Sequence, residues 1–239
     1  MKRFLEIDVL RGIAICMVVI FHFIFSLHFF GVYEGLVLNG WCLIFGRIAA
    51  TLFVMLAGSS LYLSITRTEL RGGAKFAKYL FRGLMIFCLG LVITLVTWIY
   101  PHEGVIVFGV LHLIGVSVIL VWFFRKYFLL NGILGALILA FGFFARMNPT
   151  TDVRLFLLGF PPEGFYTLDY FPLAPWFGVF LIGMFFARGL YPNYRRRFEW
   201  LEVRGKIAQV FGILGQNTLL IYFVHLPIIL LGLKLFGVI

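Results

Sequence analysis

Long apolar runs bounded by charged or turn-forming residues dominate the chain, at roughly 9–30, 41–65, 81–100, 105–124, 128–145, 170–190 and 214–236. A run of about 20 apolar residues carries a helix across the ~30 Å hydrocarbon core of a bilayer, where every backbone polar group needs an internal partner. The pattern predicts an all-α polytopic transmembrane helical bundle of about seven spans, organised as one domain over 1–239. Segment 154–168 (RLFLLGFPPEGFYTL) is also apolar, but it is short and broken by Pro161 and Pro162. Read as a re-entrant or interfacial piece, it widens the count to between six and nine.

Composition agrees. Of 239 residues, 62% are hydrophobic and only 13% are charged, against about 25% charged in soluble domains. Too little polar surface is left to coat a soluble particle. The N-terminus, MKRFLEIDVLRGIAICMVVIFHFIF, has the basic start of a signal peptide but no small-x-small cleavage pattern, and it carries Asp8 and Arg11, so it reads as a retained first span. Cys16, Cys42 and Cys88 lie inside apolar runs without CxxC spacing and read as core thiols.

The net charge is +10, which raises nucleic acid as a partner, but the cations sit in short segments between apolar runs. With the N-terminus inside, sixteen of the twenty Lys and Arg fall on the inner side: Lys2, Arg3 and Arg11, then the 67–82 and 125–126 clusters, then 188–206. That bias is the positive-inside rule facing an anionic leaflet. The expected topology is an inside N-terminus and an outside C-terminus in the cell (plasma) membrane, with no nucleic-acid partner. The outer connections are 31–40, 101–104 and the long stretch from Arg146 to Asp169; long loops of that kind are usually functional.

Ionisable groups inside a span cost a few kcal/mol even on the mildest insertion scales, so each marks a candidate site. Asp8, Arg11, Ile15 and His22 share one stripe of the first helix, where Asp8 and Arg11 also read as an ion pair at the inner end. At 1.5 Å per residue His22 lies about 12 Å in from the outer end, His112 of the fourth span about 10 Å, and Arg47 of the second about 9 Å. The three are expected in one layer. His225, in YFVHLP ahead of Pro227, reads as deeper, with a structural role beside a proline kink as its plain alternative. His28, His102 and Glu103 read as solvated near the outer surface. Glu34 and Asp169 are the carboxylates placed to orient or charge-stabilise a histidine from above, and Pro172 and Pro175 suit the first turn of the sixth span.

Such a layer suits acyl transfer. Imidazole takes a proton from an attacking hydroxyl or amine, and arginine stabilises the developing oxyanion. No structural zinc spacing, GxxxxGK[ST] or suitably placed GxGxxG is present, so no metal is expected. On the inner face, RTELRGGAKFAKYLFR and YPNYRRRFEWLEVRGK gather cations and aromatics, among them Lys75, Lys78, Arg82, Arg195 and Arg196. These suit the phosphates and adenine of coenzyme A, while anionic lipid accounts for the same charges.

IDVLRGIAICMVVIFH resembles the opening of integral-membrane acyltransferases. FVMLAGSSLYLS, FGVLHLIGVS, DYFPLAPWFGVFLIG and LGQNTLLIYFVH follow in the order seen in the catalytic-domain family of heparan-α-glucosaminide N-acetyltransferase. The chain is similar to the small prokaryotic form of that family over nearly its whole length. The resemblance implies transfer of acetyl from cytoplasmic acetyl-CoA, as co-substrate, to a sugar hydroxyl or amine on the far side. The first-helix catalytic histidine of the related O-acyltransferases maps onto His22, with His28 as a rival. The large luminal and extra helical parts of the lysosomal enzymes are missing from this chain.

These observations predict a membrane acyltransferase. His22, His112 and Asp169 form its catalytic set; Arg47, Asp8, Arg11, His225 and Glu34 bind substrate; Lys75, Lys78, Arg82, Arg195 and Arg196 bind acyl-CoA. Expected partners are the lipid bilayer, acyl-CoA and a carbohydrate or other envelope acceptor, with room for a homo-oligomer. The competing class is a proton-coupled small-solute transporter that uses the same histidines as a relay, against which the lack of a visible inverted repeat counts. A non-catalytic lipid- or partner-binding scaffold would need no buried histidines.

Overall fold

The structure is a computed structural model that describes residues 3–33, 35 and 40–238. Its helices are α1 (Leu5–Phe29), α2 (Gly40–Arg67), α3 (Gly72–Ile99), α4 (Val110–Phe124), α5 (Phe128–Arg146), α6 (Leu173–Leu190), α7 (Lys206–Gln216) and α8 (Thr218–Leu235). Among the described residues, β pairing is limited to two isolated bridges, Phe108 with Tyr170 and Thr150 with Pro162. Among the described residues, six helices, α1, α2, α3, α5, α6 and α8, are long and apolar enough to cross a membrane. The protein is an all-α polytopic membrane protein.

Two of the predicted spans take a different form. The run 105–124 is helical only from Val110; α4 has 15 residues, about 22 Å at 1.5 Å each, and falls short of a bilayer alone. The preceding 104–109 stays irregular and non-helical because its backbone is bonded elsewhere. Gly104 O accepts from Leu168 N and Phe108 O from Phe171 N, both at 2.9 Å. Ile106 N donates to Thr97 Oγ1 (3.1 Å), Ile106 O accepts from Thr94 Oγ1 (2.6 Å), and Val105 O accepts from Thr167 Oγ1 (2.8 Å). Irregular backbone at membrane depth is stable where protein groups satisfy it in this way.

The run 214–236 is broken at Asn217 (φ −100°, ψ 15°), which separates α7 from α8. Helix α7 lies mostly outside the predicted spans, because KIAQVFGILGQ is too short to cross and begins in a charged segment. Segment 154–168 contributes no further span. It forms a 3-10 turn, Val153–Leu158, capped by Asp152, whose side chain accepts from Arg154 N. Phe156, Phe165 and Tyr170 then pack on one another with ring centroids 5.5–6.4 Å apart. The Tyr170 hydroxyl donates to Phe156 O, and burial pushes that phenol up to about 12.

The chain divides into two compact units, residues 1–56 with 198–239 and residues 57–197. In the first, α7 lies along α1 at backbone contact. A Cβ added at Gly12 would lie 2.0 Å from Phe211 O, and one added at Gly215 would lie 1.7 Å from Asp8 O. In lipid, where no hydrophobic force joins helices, such close approach of small residues is the main source of packing energy. The second unit repeats the device: Gly135 and Gly178 bring α5 onto α6, and Gly83 and Gly115 bring α3 onto α4.

Candidate functional site

Helix α1 buries Asp8, Gly12, Ile15, Val18 and Ser26, the stripe on which His22 lies. The His22 Nδ1 is 2.8 Å from the carbonyl of Val18, one turn back. A carbonyl only accepts, so Nδ1 carries the hydrogen, and the Nε2 of the neutral ring keeps its lone pair. On α8, His225 is held in the same way, with Nδ1 2.6 Å from Tyr222 O. The two imidazoles meet with centroids 4.8 Å apart at 71°. His225 is 5% exposed, and its Nε2 has no hydrogen-bond partner among the described residues. Phe21 meets the His22 ring edge-on at 5.6 Å, and Tyr222 lies 5.3 Å from His225 and 5.4 Å from the Phe53 ring. The first unit therefore holds two imidazoles of matched tautomer in an aromatic wall, next to Pro227, whose missing N–H interrupts the α8 ladder.

Of the other residues expected to act with His22, Asp8 is placed farthest along the same helix. Asp8 is 6% exposed, accepts from Gln216 Nε2 at 3.2 Å and pairs with Arg11 at 3.6 Å. It sits fourteen residues from His22, about 21 Å along the helix, and joins α1 to α7 through Gln216. Arg47 stands exposed on α2. His28 turns its Nδ1 to Tyr33 O at 3.0 Å. Glu34 lies outside the described residues.

His112 belongs to the second unit and has the opposite tautomer. Its Nδ1 accepts the Gly109 N–H at 3.2 Å, so the imidazole of the third helical residue reaches back to satisfy the N-cap N–H of α4. Nε2 must then carry the hydrogen, and it faces Thr94 Oγ1 at 3.3 Å. The threonine's own proton goes to Ile106 O. The ring is 1% exposed, lies between Phe87 and Phe108, and occupies the space left by Gly90, where a Cβ would come within 2.9 Å of Nδ1. Both nitrogens are committed, so His112 in this arrangement positions the 104–109 segment and has no lone pair to offer as a base. Thr94 carries no sequence signal beyond being a hydroxyl in an apolar run.

Asp169 does not bond His112 directly. Its Oδ2 accepts the Val110 N–H at 3.1 Å, so carboxylate and imidazole cap neighbouring N–H groups of one helix end. Burial pushes this carboxyl from its ordinary 3.8 up to about 7, against the opposing pull of the Val110 N–H. Gly109 is required beside it, because a Cβ there would lie 2.5 Å from Oδ2.

At the other end of the second unit, Lys75 Nζ donates to Ile65 O at 2.8 Å, and Lys78 Nζ to Thr68 Oγ1 at 3.1 Å. The Arg125 guanidinium lies 3.4 Å from the centre of the Trp122 ring, and that ring packs on Phe76 of α3 at 5.0 Å. Arg82 follows Lys78 one turn along α3, half-buried. Arg195, exposed, and Arg196, half-buried, follow α6. Among the described residues, no three His, Cys, Asp or Glu side chains are grouped to hold a metal ion.

The family described as heparan-alpha-glucosaminide N-acetyltransferase, catalytic, matches residues 3–227. The chain belongs to this family. No curated protein matches it, and no solved structure does. Within the heparan-alpha-glucosaminide N-acetyltransferase catalytic family the match takes in α1 to α7 and most of α8, so both histidine sites lie inside it. Membership makes the protein a membrane enzyme of the acetyltransferase type.

Proposed function

We propose that this protein transfers an acetyl group from acyl-CoA, supplied on the inner side of the plasma membrane, to a hydroxyl or amine of a sugar or other envelope acceptor, with His22 Nε2 as general base. The observation that carries the reading is the His22 tautomer. Its Nδ1 hydrogen is tied to Val18 O, so the lone pair sits on the nitrogen that makes no bond to the helix, as a base requires. Atoms balance simply: the acceptor loses its proton to Nε2, its oxygen or nitrogen bonds the acyl carbon, the C–S bond breaks, and the thiolate takes the proton.

Lys75, Lys78, Arg82, Arg195 and Arg196 are the cations assigned to the coenzyme phosphates, and Trp122 with Arg125 offers a flat aromatic surface beside Lys75. Arg47 is assigned to the developing oxyanion. His112 and Asp169 act as positioning residues at the outer end of α4, and Asp8 and Arg11 as the brace between α1 and α7.

Purified protein in nanodiscs with radiolabelled acetyl-CoA tests the assignment by thioester loss and label transfer. His22→Ala should lower turnover about 10²–10⁴-fold, the usual contribution of a general base. Full turnover in that variant would remove His22 from the chemistry. Absence of coenzyme binding, together with proton-driven solute uptake in liposomes, would favour the transporter class.

A further inference from the structure

The histidine pair of the first unit offers two hydrogen-bond acceptors and no donor. Both Nδ1 hydrogens are spent on backbone carbonyls, Val18 O for His22 and Tyr222 O for His225. The His225 Nε2 is fully enclosed with no protein partner among the described residues, and the half-buried His22 ring, whose Nε2 makes no bond to its own helix, lies in contact with it. A buried acceptor left without a donor costs about 1–3 kcal/mol, so this arrangement is completed by a ligand that donates. A thioester or ester brings acceptors alone and cannot complete it. One isolated hydroxyl supplies a single hydrogen and leaves the second nitrogen unmet.

We infer that His22 and His225, from α1 and α8, form a two-acceptor cradle for a group carrying two neighbouring donor hydrogens, a vicinal diol or a neutral primary amine. His225 holds one donor in place while His22 takes the proton of the attacking atom. The inference rests on the acyl-transfer reading above and assigns the acceptor end of that reaction. His225 thereby becomes a second substrate-contacting residue, and the cradle selects polyols and amines over simple alcohols. The step balances as before, since the hydrogen held by His225 never leaves its atom.

The groups that face or flank the pair come from α1, α2, α7 and α8. Tyr222 is the ionisable neighbour in ring contact with His225. The remaining ionisable residues on the packed elements are Glu6, Asp8, Arg11, Cys16 and His28 on α1, Cys42 and Arg47 on the first part of α2, Lys206 on α7 and Lys234 on α8.

Nitrogen NMR of isotope-labelled histidine, recorded on the full chain in nanodiscs, reads the cradle without turnover. Ethylene glycol should move the Nε2 resonances of His22 and His225 together, at a half-saturating concentration about tenfold below that of ethanol, the difference expected from one additional hydrogen bond. His225→Leu should abolish that preference, and His225→Gln, which keeps an acceptor oxygen, should restore part of it and carries the test should the leucine variant fail to fold. In turnover, His225→Gln should raise the KM for a diol acceptor and leave that for the thioester unchanged. Equal responses to the two alcohols, or a shift confined to one ring, would overturn the cradle. Joint shifts in a protein that consumes no thioester would sink the acyl-transfer reading and leave the cradle standing.

Discussion

At the residue scale, hydrogen-bond direction separates histidines that their sequence positions make look alike. His22 and His225 each donate from Nδ1 to a carbonyl of their own helix, whereas His112 accepts at Nδ1 from Gly109. The first two keep a basic nitrogen and the third does not. Asp169 offers a check on the second unit that is independent of catalysis. A carboxyl raised from 3.8 to about 7 binds its proton more tightly in the folded protein, so the stability it confers is full below about pH 4 and is lost as pH rises through about 7. Asp169→Asn keeps an oxygen for the Val110 N–H and removes the titration. It should be more stable than the parent at about pH 8, by on the order of 1 kcal/mol for a carboxyl still partly in contact with water, and the gain should vanish near pH 4. A thermal-melting gap of the same size at both pH values would contradict the assignment.

At the element scale, glycines determine which helices touch. Gly215 of α7 lies so close to the Asp8 carbonyl of α1 that any side chain must force the backbones apart. Gly215→Ala should cost about 1–3 kcal/mol, the range for overpacking a close-packed contact, and weaken the neighbouring Gln216–Asp8 bond. Gly73→Ala, where a Cβ meets open space in the first turn of α3, should be neutral or stabilising by about 0.5–1 kcal/mol. Thermal melting of both variants in the same detergent makes the comparison, and equal losses would mean that the α1–α7 contact is looser than described. The non-helical 104–109 segment shows the same rule in reverse: its residues are as apolar as those of a helix, but threonines of α3 and the 167–171 stretch claim its backbone.

At the scale of the whole molecule, topology hinges on α4. Among the described residues six helices are long enough to cross, and α4 becomes a seventh crossing only if the non-helical stretch before it completes the distance. Seven crossings place the termini on opposite sides, N-terminus in, as the charge bias requires; six would leave them on the same side. Reporter fusions at the two ends should report an inside N-terminus and an outside C-terminus. A C-terminus on the inner side would show that 104–124 enters and leaves by one face, and the assignment of 146–169 as an outer loop would go with it.

The chain's order of apolar runs was sufficient by itself to specify an all-α membrane protein, the approximate place of each helix and the residues too polar to face lipid, because hydrocarbon penalises every unpaired backbone and charged group locally. The ordered motifs carried its family. Sequence alone could not assign partners. Asp8 and His22 share a helix face, yet one braces α7 while the other meets α8, since only packing brings residues so far apart in the chain to within a few ångströms. Nor could spacing predict that His112 would give up its lone pair to a helix cap, or that Asn217 would break the last run. Those outcomes depend on which carbonyl or N–H lies within three ångströms, and that is decided when the helices dock.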